Sequence, residues 1–271
     1  MAKFLSKDGK FYMRNGKLLG YTPPQASLTP QTGITYTSGL PNDWNIMKEI
    51  GMAISEASDS INANTTEPIY VNKKNSWAYK ITPGDTITVN NYVYAVMGFN
   101  NFALTNQSHY GGTHTTAGLT FGAVDCITTA EMNSSNTNSG GWETCLMRTS
   151  TMSTLQSGMP GTIAQVRVPY VDNESPNTNR FSKDYMFLPA EKEVFGTSTY
   201  SPATEANDLT QFAYYKNGGS KIKHLSGSTV GWWLRSVRYT NGINFCLVGK
   251  AGGAGSSYAS ISNGAAPCFC V

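Results

Sequence analysis

The 271-residue chain carries 20 Lys and Arg against 17 Asp and Glu, a formal net charge of +3 with only 14% charged residues. With no basic run and no acidic tail, electrostatic capture of nucleic acid is excluded as the leading function, and no apolar stretch is long enough to insert in a membrane as a spanning helix. The length supports one large domain plus a small appendage, and 27 glycines among abundant Ser, Thr and Asn favour loop-rich β structure over a helical bundle.

The N-terminal "MAKFLSKDGKFYMRNGKLLGY" has no apolar h-region, so it does not read as a signal peptide. Asn15-Gly16 within it predicts a hairpin turn. The Pro/Thr-rich "TPPQASLTPQTGITYTSGLP" reads as an extended connector lying on another surface. From Asn42 to about Ile61 the pattern turns helical: Trp44, Met47, Ile50, Ile54, Ala57 and Ile61 recur every three or four residues, with Asn42 or Asp43 as N-cap. The stripe suits either a helix packed on its own domain or, given its near-heptad spacing, an oligomerisation helix.

Strands are expected at "SWAYKI", "DTITV", "YVYAVMGF" and "GLTFGAVDCITT", with a turn at Pro83-Gly84. "SGGWETCLMRTSTMSTLQSGMP" predicts a helix running from near Ser139 to Gly158 and Pro160. "AQVRVPYV" and "DYMFLP" return to strand, "AEKEVFG" gives one or two helical turns, and "NDLTQFAYYKNGG" a short helix closing at Gly218. "GWWLRS", "INFCLV" and "APCFCV" are the final strands. Between the last two lies "GKAGGAGSSYASISNG", whose Gly, Ala and Ser would mark a linker anywhere else.

Residues that could carry chemistry are scattered. The five cysteines, Cys126, Cys145, Cys246, Cys268 and Cys270, form no CxxC pair and read as buried thiols acting as small hydrophobes. His109 and His114 are four apart but separated by glycines, which makes a polar loop of them rather than a metal site. His224 stands alone at an expected helix end. Glu191 and Glu193 share a short turn and Asp125 follows a strand; carboxylates so isolated are usually solvated. No G-x-S-x-G, H-E-x-x-H or phosphate loop occurs. Neither an enzyme nor a bound cofactor is expected.

"GLTFGAVDCITTAEMN", "GGWETCLMR", "DYMFLPAEKEVFG", "GWWLRS" and "NGAAPCFCV", taken in that order, resemble a phage and bacterial family of C-type-lectin-like domains, over roughly residues 75–271. Ala265 and Ala266 replace the bulkier residues of the family's closing motif. The family is similar in fold to the formylglycine-generating enzymes, whose active-site cysteine pattern is not matched. Some members are variable proteins of diversity-generating retroelements, in which a reverse transcriptase rewrites C-terminal codons at template adenines. The resemblance implies an α+β fold with antiparallel strands, two main helices and long loops, preceded by an extended segment and a helix. Residues 1–40 would attach to the virion, 41–74 would hold the helix and linker, and 75–271 would form the ligand-display domain.

Rewriting of AAC codons cannot produce Lys, Glu, Gln, Met or Trp. These make up about a fifth of the chain before Arg235, so about seven would be expected from Arg235 to Val271, where only Lys250 occurs. A Gly/Ser-rich strand-forming tail would also tend to avoid them. On the family's pattern the ligand-binding surface comprises Val237, Arg238, Tyr239, Thr240, Asn241, Ile243, Asn244, Leu247, Gly249, Lys250, Gly253, Gly255, Ser256, Ser257, Tyr258, Ser260 and Ile261. Tyr239, Tyr258 and Arg238 would be its energetic anchors. Trp232, Trp233, Leu234, Phe245, Phe269 and Val271 would clamp the segment so that the decorations could change. Such a surface must be ordered and face solvent.

The implied protein is a tail-fibre or receptor-binding component of a phage virion, or is prophage-encoded and made in the bacterial cytoplasm before assembly. Its partners would be a host-surface protein or glycan and, through the N-terminal segment, other virion proteins. A homo-oligomer is expected, by analogy with phage fibres a trimer. The alternative is a structural or capsid-decoration protein whose lectin-like domain has no ligand of its own. Calcium-dependent sugar binding lacks its E-P-N or Q-P-D motif.

Overall fold

A computed structural model describes residues 23–271 together with the backbone of two short strands, β1 (Met13–Arg14) and β2 (Lys17–Leu18). These pair antiparallel, Met13 with Leu18 and Arg14 with Lys17, as the hairpin requires; the rest of the N-terminal segment lies outside the described residues. The protein is mixed α+β, and strand outweighs helix.

The expected connector is built into a sheet. β3 (Gln25–Ser27) and β4 (Thr37–Ser38) join β5 (Ile69–Lys73) and β6 (Trp77–Ile81) in the order β3-β5-β6-β4, with β4 parallel to β6. Divisions at residues 40 and 74 therefore cut through one four-stranded sheet. Between β4 and β5 runs α1 (Trp44–Glu56), capped by the Asp43 carboxylate, which accepts from the N–H groups of Asn45 at 2.7 Å and Ile46 at 3.4 Å. Met47, Ile50, Ala53 and Ile54 on its apolar face are all buried within the chain. The stripe is thus taken up by the protein's own core, as in the first of the two readings.

α1 lies on a five-stranded sheet ordered β13-β20-β9-β8-β7, made by β7 (Thr86–Val89), β8 (Tyr92–Ala103), β9 (Thr116–Ala123) and two later strands. The approach of helix to sheet is very close. A Cβ on Gly118 would lie 2.0 Å from the carbonyl oxygen of Gly51, so both positions need to lack a side chain.

β10 (Thr128–Ala130) follows, then a segment in which the single expected helix is broken. α2 (Gly141–Thr144) stops at Cys145, a π-helical turn spans Met147–Met152, and α3 (Ser153–Gln156) completes it. The break has local causes: Cys145 is extended, the Leu146 N–H donates to Asn133 Oδ1, and Arg148 turns away to Asp184 and the Glu143 carbonyl. β11 (Val166–Tyr170) and β12 (Arg180–Asp184) form a hairpin, β13 (Met186–Phe187) enters the main sheet, and α4 (Glu191–Phe195) ends at Gly196 with φ +76°. Of the short helix expected over 207–219 only α5 (Ala213–Lys216) is α-helical, and a 3₁₀ turn at Ala203–Asp208 precedes it.

The remaining strands are β14 (Lys223–Leu225), β15 (Ser228–Val230), β16 (Trp232–Val237), β17 (Asn244–Val248), β18 (Ala254–Tyr258), β19 (Asn263–Ala265) and β20 (Cys268–Cys270). β14 and β15 pair with each other as a hairpin; β16, β17, β18 and β19 build with β10 a second five-stranded sheet, β10-β19-β16-β17-β18, while β20 crosses to the first sheet beside β9. The Gly/Ala/Ser tract is therefore a strand rather than a linker. Phe269 stacks on Phe121 at 5.1 Å and meets Tyr94 edge-on at 5.0 Å, and Val271 exchanges backbone hydrogen bonds with Leu119 at 2.9 and 3.0 Å. All five cysteines are free and buried; burial pushes the Cys145 and Cys270 thiols up to about 12, which keeps them protonated and inert. Among the described residues, no helix is long and apolar enough to cross a membrane.

Candidate ligand-binding surface

The floor of the surface is set by buried polar groups beneath β16. Arg235, fully buried, makes a two-pronged pair with Glu193, Nη1 to Oε2 at 2.6 Å and Nη2 to Oε1 at 2.8 Å. Its other donors reach the carbonyls of Pro169 and Leu188 at 2.8 and 2.9 Å. Glu191, also fully buried, accepts the N–H groups of Thr199, Tyr200 and Ser201 on one carboxylate, at 2.7–3.1 Å to Oε2. The Glu191 N–H donates to Ser236 Oγ at 2.9 Å, and Ser236 Oγ donates to Glu205 Oε2 at 2.5 Å. Burial raises the Glu205 pKa to about 7, against the pull of Arg235 and the Ser236 hydroxyl; its Oε1 has no hydrogen-bond partner. The expectation of solvated carboxylates on the 191–193 turn is corrected here. Arg235 and three backbone amides compensate charges that could not otherwise enter the core.

The floor carries the surface through backbone contacts. Tyr200, held by Glu191, accepts the Tyr239 N–H on its carbonyl at 2.7 Å, and its ring lies 5.6 Å beneath the Arg238 guanidinium. Arg238 Nη1 also donates to Ser256 Oγ at 3.0 Å. Asn138 pins the loop between β16 and β17: its Nδ2 donates to the carbonyls of Asn241 at 2.6 Å and Asn244 at 2.8 Å, and its N–H to that of Gly242 at 2.9 Å. Asn136 Oδ1 accepts from Ser260 Oγ at 2.6 Å. Tyr200, Asn136 and Asn138 lie outside the C-terminal segment, and sequence reasoning missed all three. In "NSSNTNSGG" nothing distinguishes a pinning asparagine from a solvated one.

The expected contact residues fall into three groups. Val237 and Asn244 are buried, a correction: Val237 sits opposite Phe245 on the core side of β16, and Asn244 is enclosed between β16 and β18 with its carbonyl taken by Arg238 and Asn138. Gly249, Lys250 and Gly253 lie in the turn between β17 and β18, with Gly255 and Leu247 beside it. At the far end of those strands, about 17 Å away by strand rise, lie Tyr239, Thr240, Asn241 and Ile243 together with Ser257, Tyr258, Ser260 and Ile261, and Arg238 reaches from there to Ser256. Tyr239 is 50% and Tyr258 51% exposed; Ile243 and Ile261 are exposed too. Four of the ten exposed large hydrophobic side chains among the described residues are thus gathered at one end of three strands. Such clustering on a polar surface marks a contact site more than scattered exposure would.

Other sequence candidates do not converge there. His109 and His114 flank Tyr110 in a ring cluster, and burial lowers the His109 pKa to about 4. His224 sits on β14 rather than at a helix end, its Nδ1 3.2 Å from Asp125. No group of three or more His, Cys, Asp or Glu suited to a metal occurs among the described residues.

Neither the curated proteins nor the solved structures include a significant match to the chain. A family model does match more than half of it, beginning on β9 and running through the whole candidate surface. By that match over residues 119–271, the chain belongs to the family described as Domain of unknown function (DUF6273).

Proposed function

We propose that the protein displays a changeable ligand-binding surface on a C-type-lectin-like scaffold, as a receptor-binding component of a phage virion diversified by a retroelement. The observation that carries this reading is the patch of Tyr239, Ile243, Tyr258 and Ile261, exposed at the end of strands whose own anchors, Trp232, Trp233 and Phe245, are fully buried. Its backbone is fixed by Asn136, which accepts the Ser260 N–H, and by Asn138 and Tyr200, all outside the segment that would be rewritten. Side chains on such a surface can change while the fold stays, the arrangement antibody loops use. The pairing of β20 with β9, which brings the C-terminal strand into the central sheet, suits the lectin-like architecture. A host-surface protein or glycan is the ligand, the N-terminal segment meets other virion proteins, and the assembly is a trimer.

The test is genomic. DNA beside the coding sequence should hold a near-copy of the segment for residues 235–271, differing only at adenines, together with a reverse transcriptase. A locus with neither, and with this segment invariant among sister phages, overturns diversification and favours the decoration protein.

A further inference from the structure

β18 is an edge strand: the order β10-β19-β16-β17-β18 leaves its outer side without a strand among the described residues. The register fixes which groups face out. Gly249 donates to Gly253 and Ala259 to Ile243, and in an antiparallel ladder hydrogen-bonded pairs alternate with non-bonded ones. Residues 253, 255, 257 and 259 therefore turn their backbone groups toward β17, whereas Ala254, Ser256 and Tyr258 turn theirs outward. Natural edges of this kind are usually guarded by a charge, a proline or a bulge. This one has none: Ala254–Tyr258 reads AGSSY, it pairs with β17 without a register shift, and no charged residue occurs from Ala251 to Val271.

We propose that this edge is where the ligand is gripped, and that the ligand is a polypeptide whose extended segment adds to β18 as a further strand, its side chains resting on Tyr258 and Ile261. The inference rests on the display reading and narrows it from protein or glycan to protein. Ala254 and Ser256 offer donors and acceptors in alternation and Tyr258 adds its N–H, its carbonyl being taken by the Ile261 N–H; such a ladder matches another backbone and not a sugar's irregular hydroxyls. The small side chains at 254–257 leave that ladder open. The strand itself bears no charge; the Arg238 guanidinium beside it is already engaged by Ser256 Oγ and the Tyr200 ring, and Lys250 stands in the turn before it. Main-chain pairing also suits a diversifying surface: affinity comes from the backbone, which rewriting leaves untouched, and selectivity from the side chains at the strand's end.

The experiment uses the whole chain and a displayed library of short random linear peptides as probe. Selected peptides should lose about tenfold or more of their affinity for Ser256→Pro, which removes one outward N–H and leaves the β17 ladder intact. The loss should exceed that of Ser256→Ala, which removes the hydroxyl that accepts from Arg238 but keeps the N–H. Ala254→Pro serves as a second blocker should the first fail to fold. Amide exchange read by NMR should show residues 254, 256 and 258 becoming protected on binding, while 255 and 257 are protected throughout. No enriched peptide, full binding by the proline variants or unchanged exchange at 254–258 overturns the proposal. So does a self-association abolished by Ser256→Pro, which would make a second copy the occupant. If binding follows the edge but ignores Tyr239→Ser and Ile243→Ser, the edge site stands and the display reading falls. An adenine-substituted repeat in the genome with no effect of Ser256→Pro gives the reverse.

Discussion

Glu205 shows how much one side chain can reveal about the floor of this surface. Its carboxyl is fully buried, hydrogen-bonded only through Oε2 to Ser236, and within the field of Glu191, Glu193 and Arg235. Its pKa stands at about 7 in the fold against an ordinary 4.5, so the protonated form is the one the fold prefers. The stabilisation is complete below the ordinary value and is lost as pH rises through about 7, on the order of 3 kcal/mol. Glu205→Gln should remove that slope, leaving a variant more stable than the parent at about pH 8 and close to it at about pH 5. Urea unfolding at the two pH values checks this; a parent whose stability is flat across that range would contradict it.

At the level of elements, the loop between β16 and β17 is shaped by Asn138, a residue about a hundred positions earlier in the chain. It carries Thr240 at φ +58°, a conformation a β-branched residue adopts only when its surroundings enforce it. Asn138→Ala should cost about 1–3 kcal/mol, because buried carbonyls lose their donor. It should also speed amide exchange at residues 239–243 while leaving β16 and β17 themselves protected. The readout separates a pinning role from general destabilisation, since a merely weakened core would loosen all of these segments together.

Across the whole molecule, surface and support are separable. Replacing Tyr239, Ile243, Tyr258 and Ile261 together by Ser should change unfolding free energy by no more than about 0.5 kcal/mol per site. Phe269→Ala, by contrast, removes a ring packed between Phe121 and Tyr94 and should cost about 3–5 kcal/mol. Denaturant titrations of the two variants test the contrast directly. Equal losses would mean that the patch belongs to the core and has no freedom to vary.

Local pattern was enough for the elements whose periodicity reports burial. The stripe of α1, the alternation in β7, the apolar runs of β8 and β9 and the tryptophan strand β16 are all visible in the order of residues, because each buries one face or both against a core that must be apolar. The buried thiols were legible too, whereas Tyr239 and Tyr258 were named only by the family resemblance. Tertiary structure alone decided the rest. A short polar segment has no period to betray it, so β3, β4 and β18 became strands only because a neighbouring edge needed their backbone groups. The helix after Ser139 broke because Asn133 and Asp184, both outside it, took donors of Leu146 and Arg148. Glu191 and Glu193 went inside because Arg235 and the amides of residues 199–201 were there to receive them. Hydrophobic burial is written along the chain, whereas polar compensation depends on which partners the fold brings within hydrogen-bond distance.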